Sequence, residues 1–335
     1  MSAEIIKQLA ILIVGFALLV KGADLFVDGA SGIAKKFGIS ELIIGLTIVA
    51  MGTSAPEAAV SIAAAAKGSA GISIGNVIGS NIMNIFIILG VVAAITPLKI
   101  ERSTVRYEMP FTILVTVLFV LMGKDGLITR LDGAVFWAGL LLYIAYLLRQ
   151  AKQKPAETSA QDETLAESAT TVSDAAEVSS TPATTAESPS IWKLIALTIV
   201  GLAVILVSSD YAVDAAVALA RIFNISDRVI GLTIVALGTS LPELVTSVTA
   251  ALRGNADLAV GNVVGSCIFN LLFVLGTSAL ILPIPCAPNF LSDAYVAVGA
   301  TVLLLLFGFT QMKIARWEGV LLVACYVTYA YVALV

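Results

Sequence analysis

Residues 45–57, GLTIVAMGTSAPE, recur 186 positions later as residues 231–243, GLTIVALGTSLPE. The match runs on without a gap: between 45–90 and 231–276, 25 of 46 positions are identical. It also reaches back to the pairs Asp24/Asp210 and Asp28/Asp214. This is an internal duplication, so any fold of the chain must use one unit twice. Each copy sets a proline and a glutamate inside an otherwise apolar run.

Those runs decide the solvent. The chain is 59% hydrophobic and 13% charged, with a mean hydropathy of +1.01. A soluble domain carries about a quarter charged residues. Most of the apolar runs approach the roughly 17–25 residues that a helix needs to cross a bilayer. The N-terminal stretch MSAEIIKQLAILIVGFALLVKG has a mixed-charge start and no small-x-small cleavage site, and reads as a first span rather than a signal peptide. Spans are expected at 5–22, 40–66, 71–96, 108–122 and 132–149, then at 191–208, 226–252, 257–282, 292–310 and 315–334. The expected fold is an all-α polytopic membrane protein with ten transmembrane helices in two five-helix repeats, 1–150 and 191–335. Between them, 151–190 is expected to be a disordered linker. Its stretch 155–190 carries seven acidic residues and no basic one, and it has too little apolar surface to offset the entropy of ordering. The acids lack the D-x-D-x-D-G spacing of a calcium loop.

Five crossings per repeat bring the second copy in from the opposite side. The repeats are therefore expected to be inverted, as in many secondary transporters, with a binding site where they meet near the membrane midplane. Counting from the N-terminus, one side receives Lys7, Lys67, Lys124, Arg130, Arg221 and Arg228, and the other receives the remaining thirteen basic residues. Lys and Arg collect on the cytoplasmic side, which puts both termini outside and the linker in the cytoplasm. A bacterial inner membrane is the expected location.

The chain has no histidine, which removes His-dependent catalysis and ligation. Cys267, Cys286 and Cys325 show no metal-binding or redox spacing and read as small apolar residues. No enzymatic activity, cofactor, nucleic-acid or obligate protein partner is expected. The acidic pairs Asp24/Asp28 and Asp210/Asp214 read as solvated interfacial charges rather than as ion vestibules.

Glu57 and Glu243 are the residues that need a reason. A carboxylate deep in a span costs a few kcal/mol. No Lys or Arg falls in the middle of a span, so compensation has to come from protons or metal cations. Pro56 and Pro242 have no N–H to donate, which frees carbonyls about four residues upstream, at Thr53 and Thr239. Ser54 and Ser240, three residues before each glutamate, are expected on its helix face. In GNVIGSNIMN and GNVVGSCIFN, Ser80 with Asn84 and Ser266 with Asn270 stand at i and i+4. Glycines 75, 79, 261 and 265 would let helices approach closely. Buried Asn84 and Asn270 each need hydrogen-bond or metal partners. All these donors are oxygen or amide, which suits a hard cation, and a dry site favours calcium over magnesium.

At these residues the chain resembles the sodium/calcium exchanger family. The two α-repeats of that family look like 50–90 and 236–276, with G-T-S-x-P-E and G-S-x-I-x-N in each copy. The resemblance implies an antiporter in which Glu57 and Glu243 are shared by calcium and sodium. It implies that the Thr53 and Thr239 carbonyls join the calcium shell. It further implies that Ser54, Ser240, Ser80, Ser266 and the carbonyls of Ala50 and Ala236 complete sodium sites, and that Asn84 and Asn270 border the centre. Spans 1 and 6 would slide to switch access. Calcium and sodium are then cargo, and no cofactor is implied. Asn at both 84 and 270, where some relatives carry Asp at the second, makes potassium dependence an unexpected property. Because protons titrate the same carboxylates, acid is expected to inhibit. The alternative is proton/calcium antiport on the same scaffold; a passive cation channel is the remote one.

Overall fold

The computed structural model describes residues 2–68, 70–153, 189–223 and 236–334. The linker expected at 151–190 lies outside these apart from 151–153, which are still helical, and 189–190; the beginning of the second Pro-Glu span lies outside them too. The described chain is mostly helical.

Helix α1 (Ser2–Phe37) runs well past the expected end at 22. Lys21, Asp24 and Asp28 do not stop it, because Lys21 and Asp28 lie exposed and Asp24 half-buried, while Phe26, Val27, Ala30 and Ala34 are buried on the other face. Gly38 ends it with φ at 63°, and Ile39 donates its N–H to the Ala34 carbonyl at 2.9 Å, a left-handed terminal turn that glycine accepts without strain. Next come α2 (Glu41–Thr53) and α3 (Ala55–Ala66), bent by 50° at Ser54. Pro56 in the first turn of α3 suits a helix start, where its missing N–H costs nothing. The first half closes with α4 (Gly71–Ile95), α5 (Thr104–Gly123) and α6 (Arg130–Gln153).

In the second half, α7 (Ile191–Ile222) also outruns its expected end at 208. The short α8 (Ala236–Thr239) and α9 (Leu241–Leu252) repeat the break at Ser240. They are followed by α10 (Ala256–Ile281), α11 (Pro288–Gln311) and α12 (Arg316–Leu334). Among the described residues seven helices (α1, α4, α5, α6, α7, α10 and α11) are long and apolar enough to cross a membrane, and the bent pair α2–α3 makes an eighth. Helix α9 is apolar but only 12 residues long, and α12 begins with Arg316 and Glu318.

Burial sorts the helices into centre and rim. The most apolar window of α10 is 94% buried and that of α4 is 72% buried, whereas the other five range from 28% to 44%. The duplicated pair α4 and α10 is therefore the centre. The rim helices turn residues such as Ile13, Leu142, Val207 and Phe309 outward, as lipid-facing surfaces require.

The two halves make the same contacts reciprocally. Gly15 of α1 lies beside Ala212, Gly22 beside Gly201 and Ile205, and Gly29 beside Leu194 and Thr198. Positions rising along α1 meet positions falling along α7, so these duplicated helices run antiparallel. A methyl group at Gly29 would come within 2.6 Å of the Thr198 backbone nitrogen, so this seam needs glycine. Strand β1 (Leu98–Lys99) pairs antiparallel with β4 (Lys313–Ile314), and β2 (Leu127–Ile128) pairs with β3 (Ile284–Pro285). Leu98 duplicates as Ile284 and Leu127 as Lys313, so each bridge joins an element to the copy of the other bridge's partner. Gly90 packs on Gly319 and Gly133 on Gly276, another exchange between duplicated positions.

Candidate cation site

The two glutamates meet where the halves meet. Glu57 is 1% and Glu243 0% exposed, and each stands in the first turn of a helix that begins at a break. The breaks put Ser54 and Ser240 outside regular helix, and their hydroxyls cross over. Ser54 Oγ donates to Glu243 Oε1 at 2.7 Å, and Ser240 Oγ donates to Glu57 Oε1 at 3.1 Å. Ser54 and Ser240 are expected on the helix face of Glu57 and Glu243, but the break, a 50° bend in the first half, leaves each hydroxyl on the carboxylate of the other half.

Helices α4 and α10 supply the floor. Ser80 faces the Glu57 carboxylate, and Ser266 and Thr53 face that of Glu243. Ser266 Oγ also lies 3.5 Å from the carbonyl of Ala50, which already accepts the Ser54 N–H at 3.0 Å. In the second half, Leu244 N–H closes on Ser240 at 3.1 Å, the counterpart of Ala58 on Ser54 at 3.0 Å. Thr239 is the last residue of α8, and Ala236 is the first. One turn past each floor serine, α4 and α10 widen into π-helical turns at Asn84–Leu89 and Asn270–Leu275. Such turns are rare and concentrate at functional sites. Gly261 and Gly265 bring α10 against the backbone of Leu42 and Leu46, but the expected close approach is not made at Gly79, which faces open space, or at Gly75, which meets only the Phe290 ring.

Two further pairs, legible only as parts of the G-N-V repeat, hold the glutamate helices. Asn76 Nδ2 donates to the Glu57 carbonyl at 3.2 Å and to Ser61 Oγ at 2.9 Å. Asn262 Nδ2 donates to the Glu243 carbonyl at 3.4 Å and to Ser247 Oγ at 2.9 Å, and its Oδ1 accepts from Thr53 Oγ1 at 3.0 Å. Their duplication at the offset of 186 is the signal that the sequence carries.

What remains unpartnered is informative. Among the described residues, Glu57 Oε2, Glu243 Oε2, both amide atoms of Asn84 and Asn270 Oδ1 are buried without a hydrogen bond. Buried polar atoms are normally satisfied, and an orphaned cluster calls for a ligand. Among the described residues no Lys or Arg is paired with either glutamate. No three residues among His, Cys, Asp and Glu come together anywhere in the described chain, so a cation here would rest on two carboxylates and neutral oxygens.

The flanking acids behave less symmetrically. Arg253, just past α9, pairs with Asp24 at 2.6 Å and with Asp28, tying α9 to α1. Among the described residues its duplicate Lys67 forms no ion pair, and Asp210 and Asp214 lie exposed. Asp24 and Asp28 are therefore not free solvated charges.

The family description that matches is "Sodium/calcium exchanger protein", over residues 7–152 and 193–335. CaxA of Alkalimonas amylolytica is 41% identical over 323 residues, 95% of this chain and 96% of that protein. The sodium/calcium exchanger MaX1 of Methanosarcina acetivorans is 37% identical over 337 residues, 95% of this chain and 96% of that protein. The solved structure of the sodium-calcium exchanger NCX_Mj, soaked with zero Na+ and Ca2+, superposes with a TM-score of 0.79 at 34% identity, covering 99% of this chain and 100% of that one. The relatives so named are exchangers. This chain is an integral membrane protein of the sodium/calcium exchanger family.

Proposed function

We propose that the protein is a secondary antiporter that exchanges calcium for sodium at the Glu57–Glu243 pair by alternating access. One observation carries this: each half contributes one fully buried carboxylate, bound by the other half's serine and left with an unpartnered oxygen. Two negative charges without a basic partner are unstable in a dry site unless cations join them. Calcium takes flexible shells of oxygen, and sodium also accepts hydroxyls and carbonyls. In this reading Glu57 and Glu243 bind both ions. The Thr53 and Thr239 carbonyls serve calcium. Ser54, Ser240, Ser80, Ser266 and the Ala50 and Ala236 carbonyls serve sodium, beside Asn84 and Asn270. An empty, doubly charged site is too costly to move through an occluded state, so only loaded forms switch sides and the two fluxes are coupled.

The antiparallel α1–α7 pair and the exchanged strand and glycine contacts support two inverted five-helix repeats, ten spans in all, linked through a cytoplasmic tether with both termini outside. The flat glycine-rich seam between α1 and α7 suits the sliding of that pair past the core.

The test is radioactive calcium uptake into sodium-loaded proteoliposomes with the membrane potential clamped, beside vesicles given only a proton gradient. Uptake that requires internal sodium and disappears in Glu57→Gln and Glu243→Gln supports the proposal. Uptake driven by protons alone makes the protein a proton/calcium antiporter. Downhill calcium flux with no counter-ion makes it a channel.

A further inference from the structure

Position 81 duplicates as position 267, and here the two halves differ: Asn81 in the first, Cys267 in the second. The two residues touch. Asn81 Nδ2 donates to the Cys267 carbonyl at 3.1 Å, and Cys267 Sγ approaches the Asn81 carbonyl at 3.9 Å. A carbonyl only accepts, so the amide nitrogen of Asn81 is fixed on that side and its Oδ1 points the other way. That oxygen accepts from Asn270 Nδ2 at 3.2 Å. With its nitrogen thus engaged, Asn270 is left offering Oδ1, which is fully buried and has no hydrogen bond. Asn270 stands one turn past Ser266, on the face that carries Ser266 to Glu243.

The corresponding chain in the first half is weaker. The Asn84 side chain has Cys267 beside it where Asn270 has Asn81. Cys267 directs its one S–H at the Asn81 carbonyl, so its sulfur meets the Asn84 amide only as a weak acceptor, a looser hold than the amide oxygen of Asn81 gives Asn270. No hydrogen bond of normal length reaches either amide atom of Asn84.

Resting on the site reading above and extending it by making Asn270 a calcium ligand, we infer that Asn81 is a positioning residue: it locks Asn270 with its oxygen toward the cation and makes the two halves of the site unequal. Asn270 is a preorganised ligand. Asn84 has to be ordered by the ion itself, which costs part of what its oxygen contributes. Asn81 touches no ion. It acts through Asn270 alone.

The experiment is equilibrium calcium binding to the purified protein, with calcium half-saturation of uptake and thermal unfolding measured alongside. Asn270→Ala should weaken calcium binding about five- to tenfold, the worth of one hydrogen-bonded ligand, and Asn84→Ala should weaken it clearly less. Asn81→Ala should weaken it as Asn270→Ala does, by raising half-saturation rather than lowering maximal rate. Combining Asn81→Ala with Asn270→Ala should add nothing further. Exchanging the two residues, Asn81→Cys with Cys267→Asn, should restore affinity and transfer the dependence from Asn270 to Asn84. Additive losses, equal losses from Asn84→Ala and Asn270→Ala, or an Asn81→Ala protein that melts earlier but binds calcium normally would each overturn the inference. If the exchanged protein fails to fold, the Asn81–Asn270 cycle decides alone. A native protein that binds no calcium would instead bring down the site reading and this inference with it.

Discussion

Ser54 stands three residues before Glu57 in the chain, yet its hydroxyl donates to Glu243, 2.7 Å away in the other half. Hydrogen bonds to a carboxylate are the stronger kind, worth about 1.5–3 kcal/mol. A double-mutant cycle read by calcium binding should therefore couple Ser54→Ala to Glu243→Asp by about 1.5 kcal/mol or more, and to Glu57→Asp by under about 0.5 kcal/mol. The reverse order would mean that each serine serves its own helix. In sodium titrations of the same variants, Ser54→Ala and Ser240→Ala should each raise half-saturation by about three- to tenfold.

Asn262 bonds at once to the Glu243 carbonyl, Ser247 and Thr53, fully buried. Asn262→Leu leaves those groups unsatisfied and should cost about 1–3 kcal/mol. A lowered midpoint of thermal unfolding in detergent, with calcium affinity reduced in parallel, is the expected result.

Acid should act as a competitor. Calcium needs Glu57 and Glu243 ionised, so a proton on either one removes a ligand charge. Initial rates of uptake at stepwise lower pH should show calcium half-saturation rising while the maximal rate at saturating calcium is retained. A fall in maximal rate alone would place the titrating group on the switching step instead.

Arg253 ties α9 to Asp24 and Asp28 of α1, while among the described residues its counterpart Lys67 has no ion pair and Asp210 and Asp214 are exposed. Under alternating access the second set closes when the first opens. In a Cys325→Ala background, a short bifunctional thiol reagent should bridge Arg253→Cys to Asp28→Cys, and in separate protein Lys67→Cys to Asp214→Cys. Either bridge should stop exchange. Failure of the Lys67–Asp214 bridge to form in bilayers would mean that only one face gates.

The duplicated Pro-Glu stretches made the centre of the site readable in the sequence. A helix breaker beside a carboxylate in an apolar run has few other uses, and the constant offset of 186 pairs every element with its copy. The partner across the interface was not readable: spacing puts Ser54 near Glu57, and only the 50° bend sends it to Glu243. The ends of α1 and α7 were also hidden. Asp24 and Asp28 interrupt a hydropathy run at 22, but they lie one turn apart and leave the opposite face apolar, so the helix continues to Phe37. Asn76, Asn262 and Asn81 look in sequence like any polar residue near a glycine. Their roles rest on which backbone carbonyls come within reach.

The most direct measurement is calcium binding to the purified protein at equilibrium while sodium is titrated in. One calcium per chain, displaced competitively by sodium, and no binding in Glu57→Gln or Glu243→Gln, is the expected result. Calcium that stays bound at saturating sodium, or that binds undiminished when both glutamates are replaced, would show that the two ions do not share this pair of carboxylates.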